Sequence, residues 1–236
     1  MIKDIKKKLP QSRRSPLLDQ IRGFSVVLMI IFHLSYDLNI FQLVNIDFLK
    51  NPYWYIFPRI IVLLFFFCVG ISLGISHRPA IRWKPLGQRL LKLCGLAILI
   101  SAATFYLFPQ RWIYFGTLHS IALCSIMALP LIPYPNLSLI IGLGLMLPSA
   151  ILRFDLPWIL LPHPSMDYIS PFPWVGAVLL GLFAQHQQLE RVMTKSNHFL
   201  LQLLEITGKH ALIIYLIHQP LLYSIAWFIR QAIPYR

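Results

Sequence analysis

The chain has 236 residues, of which 57% are hydrophobic and 12% are charged, and its formal net charge is +13 at pH 7. With a mean hydropathy of +0.66, this composition is typical of a polytopic membrane protein and excludes a soluble domain. The cations concentrate in three clusters that flank apolar runs, at 1–22, 77–92 and 190–209. Following the positive-inside rule, we assign these clusters to the cytoplasmic side and predict contact with the lipid bilayer but no nucleic-acid partner.

In chain order, the apolar runs predict an all-α, polytopic bundle of about seven transmembrane helices with a cytoplasmic N-terminus. Residues 1–16 form a basic cytoplasmic tail, and residues 17–232 form a single transmembrane domain. The first run lacks a small-residue cleavage site, so we interpret it as a retained span and not as a signal peptide. The predicted spans cover residues 17–40, 53–76, 90–108, 113–132, 137–152, 171–186 and 210–232.

Two local patterns predict how these helices pack. Between the sixth and seventh spans, Ser196 is expected to cap a short surface helix that ends near Gly208. In the second span, small residues predict the close approach of a neighbouring helix. They are Gly70, Ser72, Gly74 and Ser76.

The first span carries a polar stripe. At about 3.6 residues per turn, a few residues fall close to one line along the helix. They are Asp19, Arg22, Met29, His33 and Asp37. Because an ionised side chain near the centre of a membrane helix costs about 2.5–3.5 kcal/mol, the stripe is expected to face protein or a wet cavity. Asp19 and Arg22 fit equally well as an i,i+3 ion pair at the membrane edge.

His33 and Asp37 lie four residues apart, so their side chains can meet on the helix surface. A carboxylate that holds one ring nitrogen of a histidine leaves the other nitrogen free to accept a proton, as in general-base catalysis. We therefore predict that both residues are catalytic, with His33 as the base and Asp37 as its orienting group. The alternative is that His33 only hydrogen-bonds a neighbouring helix.

Other ionisable residues are candidates for the site, each with a structural alternative. His119 and His218 lie within predicted spans, where a histidine either serves function or completes a helix–helix hydrogen bond. Asp167 precedes the sixth span, where it fits a helix-entry carboxylate as well as a substrate contact. Arg89 fits a topology-setting charge, but it is also able to meet an anionic cofactor.

Several catalytic signatures are absent from the sequence. It contains no Walker phosphate loop, no dinucleotide-binding glycine motif, no serine-esterase elbow and no zinc-protease motif. The cysteines lie in separate apolar runs without ligand spacing, so we predict neither a disulfide nor a metal site. They are Cys68, Cys94 and Cys124.

The chain opens its first span with Leu-Asp-Gln-Ile-Arg-Gly-Phe-Ser-Val-Val-Leu-Met-Ile-Ile-Phe-His. Further stretches follow at Phe65–Ser76, Phe115–Ala122, Asp167–Trp174 and Gly208–Pro220. In this order they resemble the heparan-alpha-glucosaminide N-acetyltransferase catalytic-domain family, which belongs to the wider transmembrane acyltransferases. The chain differs from the lysosomal members in being shorter and in lacking the His-containing loop that follows their first helix.

The resemblance implies an enzyme that takes an acyl group, usually acetyl, from cytoplasmic acetyl-CoA or another acyl-CoA. The acceptor would be a sugar, a glycan or a lipid-linked sugar on the other side of the membrane, and no metal is implied. The expected location is the bacterial inner membrane, and homo-oligomerisation stays open.

The resemblance also implies roles for individual residues. His33 would deprotonate the acceptor or relay the acyl group, and Asp37 would orient it. The cofactor would be bound by Arg22, Asp19 and Arg89, with the two arginines facing the CoA phosphates. The acceptor would be contacted by His119, Asp167, Trp174 and His218.

Two other classes of function remain open on sequence grounds. A proton-coupled transporter would also use an intramembrane polar stripe, although the chain shows no inverted repeat of the kind that many transporters contain. A non-catalytic membrane subunit would pair the same stripe with a partner helix.

Overall fold

The computed structural model describes residues 15–48, 50–78, 80–189 and 198–233. Within them five helices are long and apolar enough to cross a membrane: α1 (Pro16–Ile40), α2 (Pro52–His77), α3 (Trp83–Leu107), α5 (Pro135–Leu152) and α8 (Ala211–Ala232). The shorter helices are α4 (Thr117–Ala128), which a 3-10 turn at Leu129–Leu131 extends, α6 (Trp174–His186) and α7 (Phe199–Lys209). This architecture confirms the predicted helical membrane bundle.

The predicted and observed helix bounds agree best where a change in hydropathy coincides with a capping residue. Ser15 caps α1, accepting a hydrogen bond from the Leu18 amide, and Asn51 caps α2 in the same way through the Tyr53 amide. By contrast, α3 begins at Trp83 and not at residue 90. The helix includes the polar residues Lys84 and Arg89. The prediction began too late because hydropathy marks the apolar part of a helix and not its end.

The directions of α1, α2 and α8 define two distinct ends of the bundle. The rings of Phe32 and Phe57 meet across the antiparallel pair α1 and α2, whereas α8 runs parallel to α1, since Ala211 packs with Val26 and Tyr223 contacts Phe41. We call the end at which α1 begins and α2 ends the basic face. The other end, at which α1 ends and α2 begins, is the distal face.

Glycines allow two pairs of helices to approach closely. A Cβ atom at Gly70 would lie 1.9 Å from the carbonyl oxygen of Val178, and one at Gly181 would lie 2.1 Å from that of Phe67. This contact between α2 and α6 confirms the close packing predicted for the second span.

The other close pair is α1 and α7. A Cβ atom at Gly23 would lie 1.9 Å from the Leu204 carbonyl oxygen, and one at Gly208 would lie 1.8 Å from that of Asp19. The short helix ends at Lys209, as predicted, and its N-cap is His198. The predicted cap, Ser196, lies outside the described residues.

Candidate active site

The polar stripe of α1 divides into two groups at opposite ends of the helix. Near the basic face, Arg22 Nη1 lies 2.9 Å from Asp19 Oδ1, which confirms that the two residues pair at i,i+3. Arg89 on α3 lies close enough to Arg22 for their charges to repel each other. It also acts electrostatically on His77 at the end of α2. The basic face therefore concentrates positive charge that only Asp19 offsets within this group.

Toward the distal face, His33 of α1 meets His218 of α8. The two ring centroids are 4.8 Å apart, and the ring planes are inclined at 68°. His218 is buried, with 7% of its surface exposed. Its Nδ1 lies 2.7 Å from the carbonyl oxygen of Tyr215, whereas its Nε2 is buried without a hydrogen-bond partner among the described residues.

Asp37 is fully buried one turn beyond His33. The side-chain amide of Gln219 donates to its two carboxylate oxygens at 3.0 and 3.3 Å. Within the described part of the chain, no hydrogen bond joins Asp37 to His33. The carboxylate thus fastens α8 to α1, and the residue beside the His33 ring is His218.

Asp167 is the third polar centre, and it joins three segments of the chain. Its Oδ2 accepts hydrogen bonds from the Thr117 amide at 2.9 Å and from the Tyr215 hydroxyl at 2.9 Å. Its Oδ1 accepts one from the Thr117 hydroxyl at 3.1 Å. Asp167 therefore satisfies the first turn of α4 and not the entrance to the sixth span, where the helix-entry interpretation placed it. It also holds α8 through Tyr215.

The loop that carries Asp167 is held by the segment before α4. The Met166 amide donates to the Arg111 carbonyl at 3.0 Å, and the Ile169 amide donates to the Phe115 carbonyl at 3.2 Å. This pairing keeps the segment before Gly116 extended, which is why α4 begins four residues later than residue 113. A Cβ atom at Gly116 would lie 2.7 Å from an Asp167 carboxylate oxygen, so the close approach requires glycine.

Two tyrosine hydroxyls brace this loop, one within the loop and one from the segment before α4. The Tyr168 hydroxyl donates to the Ile159 carbonyl at 2.9 Å, and the Tyr114 hydroxyl accepts from the Leu161 amide at 3.3 Å. Burial, followed by the neighbouring Tyr114, raises the pKa of Tyr168 above its ordinary value. The loop is thus built on the entrance to α4, beside the polar centre.

His119 and Trp174 lie apart from the His33–His218 contact. His119 Nδ1 accepts from the Gly116 amide at 3.2 Å, and its Nε2 lies 3.4 Å from the Ser101 hydroxyl. Both ring nitrogens thus have partners, which fits the helix–helix alternative for this histidine. Trp174 begins α6 and packs on Phe66 in the core. Its predicted contact with substrate stays a prediction.

The sequence argument missed three residues of the polar network, Thr117, Tyr215 and Gln219. Thr117 opens α4, and its signal is a hydroxyl at a helix start. Tyr215 precedes His218 by three residues, a spacing that places both on one helical face. Gln219 stands inside the His-Gln-Pro motif, but only the packing of α8 against α1 shows that its partner is Asp37.

The described residues offer an anion site more readily than a metal site. No group of three or more His, Cys, Asp or Glu side chains converges among the residues that the structure describes. The guanidinium groups of Arg22 and Arg89 provide the donors that phosphate prefers. Both guanidinium groups lie at the basic face, where they could bind an anionic group.

Comparison with known proteins identifies the family. A family model described as "Heparan-alpha-glucosaminide N-acetyltransferase, catalytic" matches residues 14–220. No curated protein and no solved structure gives a significant match. The matched segment contains Asp19, Arg22, His33, Asp167 and His218, and the family implies membrane acetyltransferase activity in general. Because the match covers most of the chain, the protein belongs to the heparan-alpha-glucosaminide N-acetyltransferase catalytic-domain family.

Proposed function

We propose that the protein transfers an acyl group, acetyl in the first instance, from acyl-CoA to a sugar hydroxyl or amine across the membrane, with His33 as the general base. The observation that carries the proposal is the arrangement along α1. Arg22 lies near the basic face beside Arg89, and His33 lies eleven residues further on, against His218. At a rise of about 1.5 Å per residue, the two are about 16 Å apart along the helix.

The basic face supplies the donor end of this scheme. By the positive-inside rule it faces the cytoplasm, where acyl-CoA is found. Arg22 and Arg89 bind the CoA phosphates, and Asp19 holds Arg22 in place through their ion pair. The extended pantetheine arm then reaches along α1 toward His33 with the thioester at its tip. The acceptor enters from the distal face.

The chemical step needs one group that accepts and returns a proton. His33 removes the proton from the acceptor oxygen or nitrogen as that atom attacks the thioester carbonyl carbon. The new C–O or C–N bond forms, the C–S bond breaks, and the departing CoA thiolate takes the proton from His33. Asp37 supports this step from one turn away, since its bond to Gln219 keeps α8 alongside α1.

Radiolabelled acetyl-CoA tests the proposal directly. The purified protein in lipid nanodiscs is expected to bind the label saturably and to turn it over by transfer or hydrolysis. His33→Ala should lower turnover by about 100-fold or more, in line with general acid–base catalysis, while binding persists. His210→Ala, an exposed histidine at the start of α8, serves as the matched control. Near-normal turnover by folded His33→Ala protein would contradict the assignment of the base, and absence of binding would favour the transporter or subunit interpretation.

A further inference from the structure

The contacts of His218 define which of its two ring nitrogens carries the proton. A carbonyl oxygen can only accept a hydrogen bond, so the 2.7 Å contact between His218 Nδ1 and the Tyr215 carbonyl requires the proton to be on Nδ1. In the neutral ring Nε2 then carries a lone pair and no hydrogen. That lone pair is buried and has no partner within the described residues.

The group that faces this ring across the helix contact is His33. The two ring centroids are 4.8 Å apart, nearly edge to face. His33 has no hydrogen bond to any of the residues that the structure describes, so one of its N–H groups is available to His218. The carboxylate of Asp37, the other candidate to orient His33, is already engaged by Gln219.

We propose that His218 is the positioning residue for His33: when the His33 ring turns its N–H toward the unpartnered Nε2 across their 4.8 Å ring contact, Nε2 accepts it and directs the other ring nitrogen of His33 to the acceptor. This inference rests on the proposed function, and it gives His218 the orienting role that the sequence pattern assigns to Asp37. A buried acceptor without a partner is costly, and a hydrogen bond from His33 removes that cost. Through its hydroxyl on Asp167, Tyr215 anchors the helix that presents the Tyr215 carbonyl to His218.

Two amide substitutions separate the nitrogens of His218. In His218→Asn the side-chain N–H₂ replaces Nδ1–H and keeps the bond to the Tyr215 carbonyl, but nothing remains where Nε2 stood. In His218→Gln the amide reaches the Nε2 position and can present its oxygen to His33. Acetyl-CoA turnover should fall about 100-fold in His218→Asn and be restored to within about tenfold of wild type in His218→Gln. The KM for acetyl-CoA should change little in both, because the basic face is intact.

Wild-type activity by His218→Asn would overturn the proposal, since the residue would then only pack. Loss of turnover to the same extent in both folded variants would also overturn it, because an acceptor oxygen would not substitute for Nε2. Wild-type protein without acetyl-CoA binding or turnover would instead bring down the proposed function itself.

A measurement on wild-type protein keeps the test independent of variant folding. With ¹⁵N-labelled histidine, the nitrogen chemical shifts of His218 should report a protonated Nδ1 and an unprotonated Nε2. The opposite tautomer would overturn the inference.

Discussion

Gln219 on α8 donates its side-chain amide to both carboxylate oxygens of the fully buried Asp37 on α1. Gln219→Leu leaves the carboxylate in the bundle without this donor, so we expect the free energy of unfolding to fall by about 2–3 kcal/mol. Chemical denaturation in detergent measures the change. Gln202→Leu on the exposed side of α7 is the matched control and should have little effect.

The same pair allows a sharper form of this experiment. In the double variant Asp37→Leu with Gln219→Leu, no buried charge is left, so stability should recover toward the wild-type value. A double variant that is as unstable as the sum of the single variants would show that the two side chains do not act as a pair.

Asp167 accepts hydrogen bonds from Thr117 and Tyr215, and it thereby joins the loop that carries it to α4 and α8. Asp167→Ala removes the cap of α4 and leaves the Tyr215 hydroxyl without an acceptor. We expect a loss of about 2–4 kcal/mol in the free energy of unfolding. Asp155→Ala, at an exposed position of the same loop, should be close to neutral, and equal effects of the two variants would contradict the role of Asp167 as a structural centre.

The sequence predicts the helices better than the contacts between them. Apolar runs and caps place α1, α2, α5 and α8 to within two residues, because a membrane span must satisfy its own backbone. The partner of Asp37 is beyond such reasoning. Periodicity along one helix identifies only neighbours on that helix, so it suggests His33 as the partner of Asp37. The observed hydrogen-bond donor, Gln219, is 182 residues away.

The start of α4 shows the same limit. Hydropathy extends the fourth span back to residue 113, since Ile113 and Phe115 are apolar. The helix starts later because this stretch pairs with the Asp167 loop. The Phe115 carbonyl accepts a hydrogen bond from the Ile169 amide, which keeps the stretch extended. The pairing depends on a loop about 50 residues further on, a spacing that no local pattern reports.

Gly70 lies where the backbone of α6 comes closest to α2, and a Cβ atom there would lie 1.9 Å from the Val178 carbonyl oxygen. Gly70→Val must push the helices apart, so we expect a loss of at least about 3 kcal/mol and a lower yield of folded protein. Gly144→Val on α5 is the matched control, since nothing lies within 4 Å of a Cβ atom at that position. Similar melting temperatures for the two valine variants in detergent would show that the α2–α6 contact tolerates separation.

Arg22 is the residue that most directly tests the assignment of the basic face to CoA. Arg22→Gln removes one guanidinium and leaves the Asp19 carboxylate without its partner, so negative charge then faces the CoA phosphates. The Kd for acetyl-CoA should rise about tenfold or more, the size expected for losing one hydrogen bond to a charged group.

Arg59→Gln is the control, because Arg59 lies toward the distal face and stacks on Tyr55. Isothermal titration at two salt concentrations tests whether acetyl-CoA binds at the basic face. The wild-type affinity should fall with added salt, and Arg22→Gln should weaken that dependence. A Kd that responds to Arg59→Gln but not to Arg22→Gln would place the cofactor at the other end of the bundle and reverse the direction of transfer.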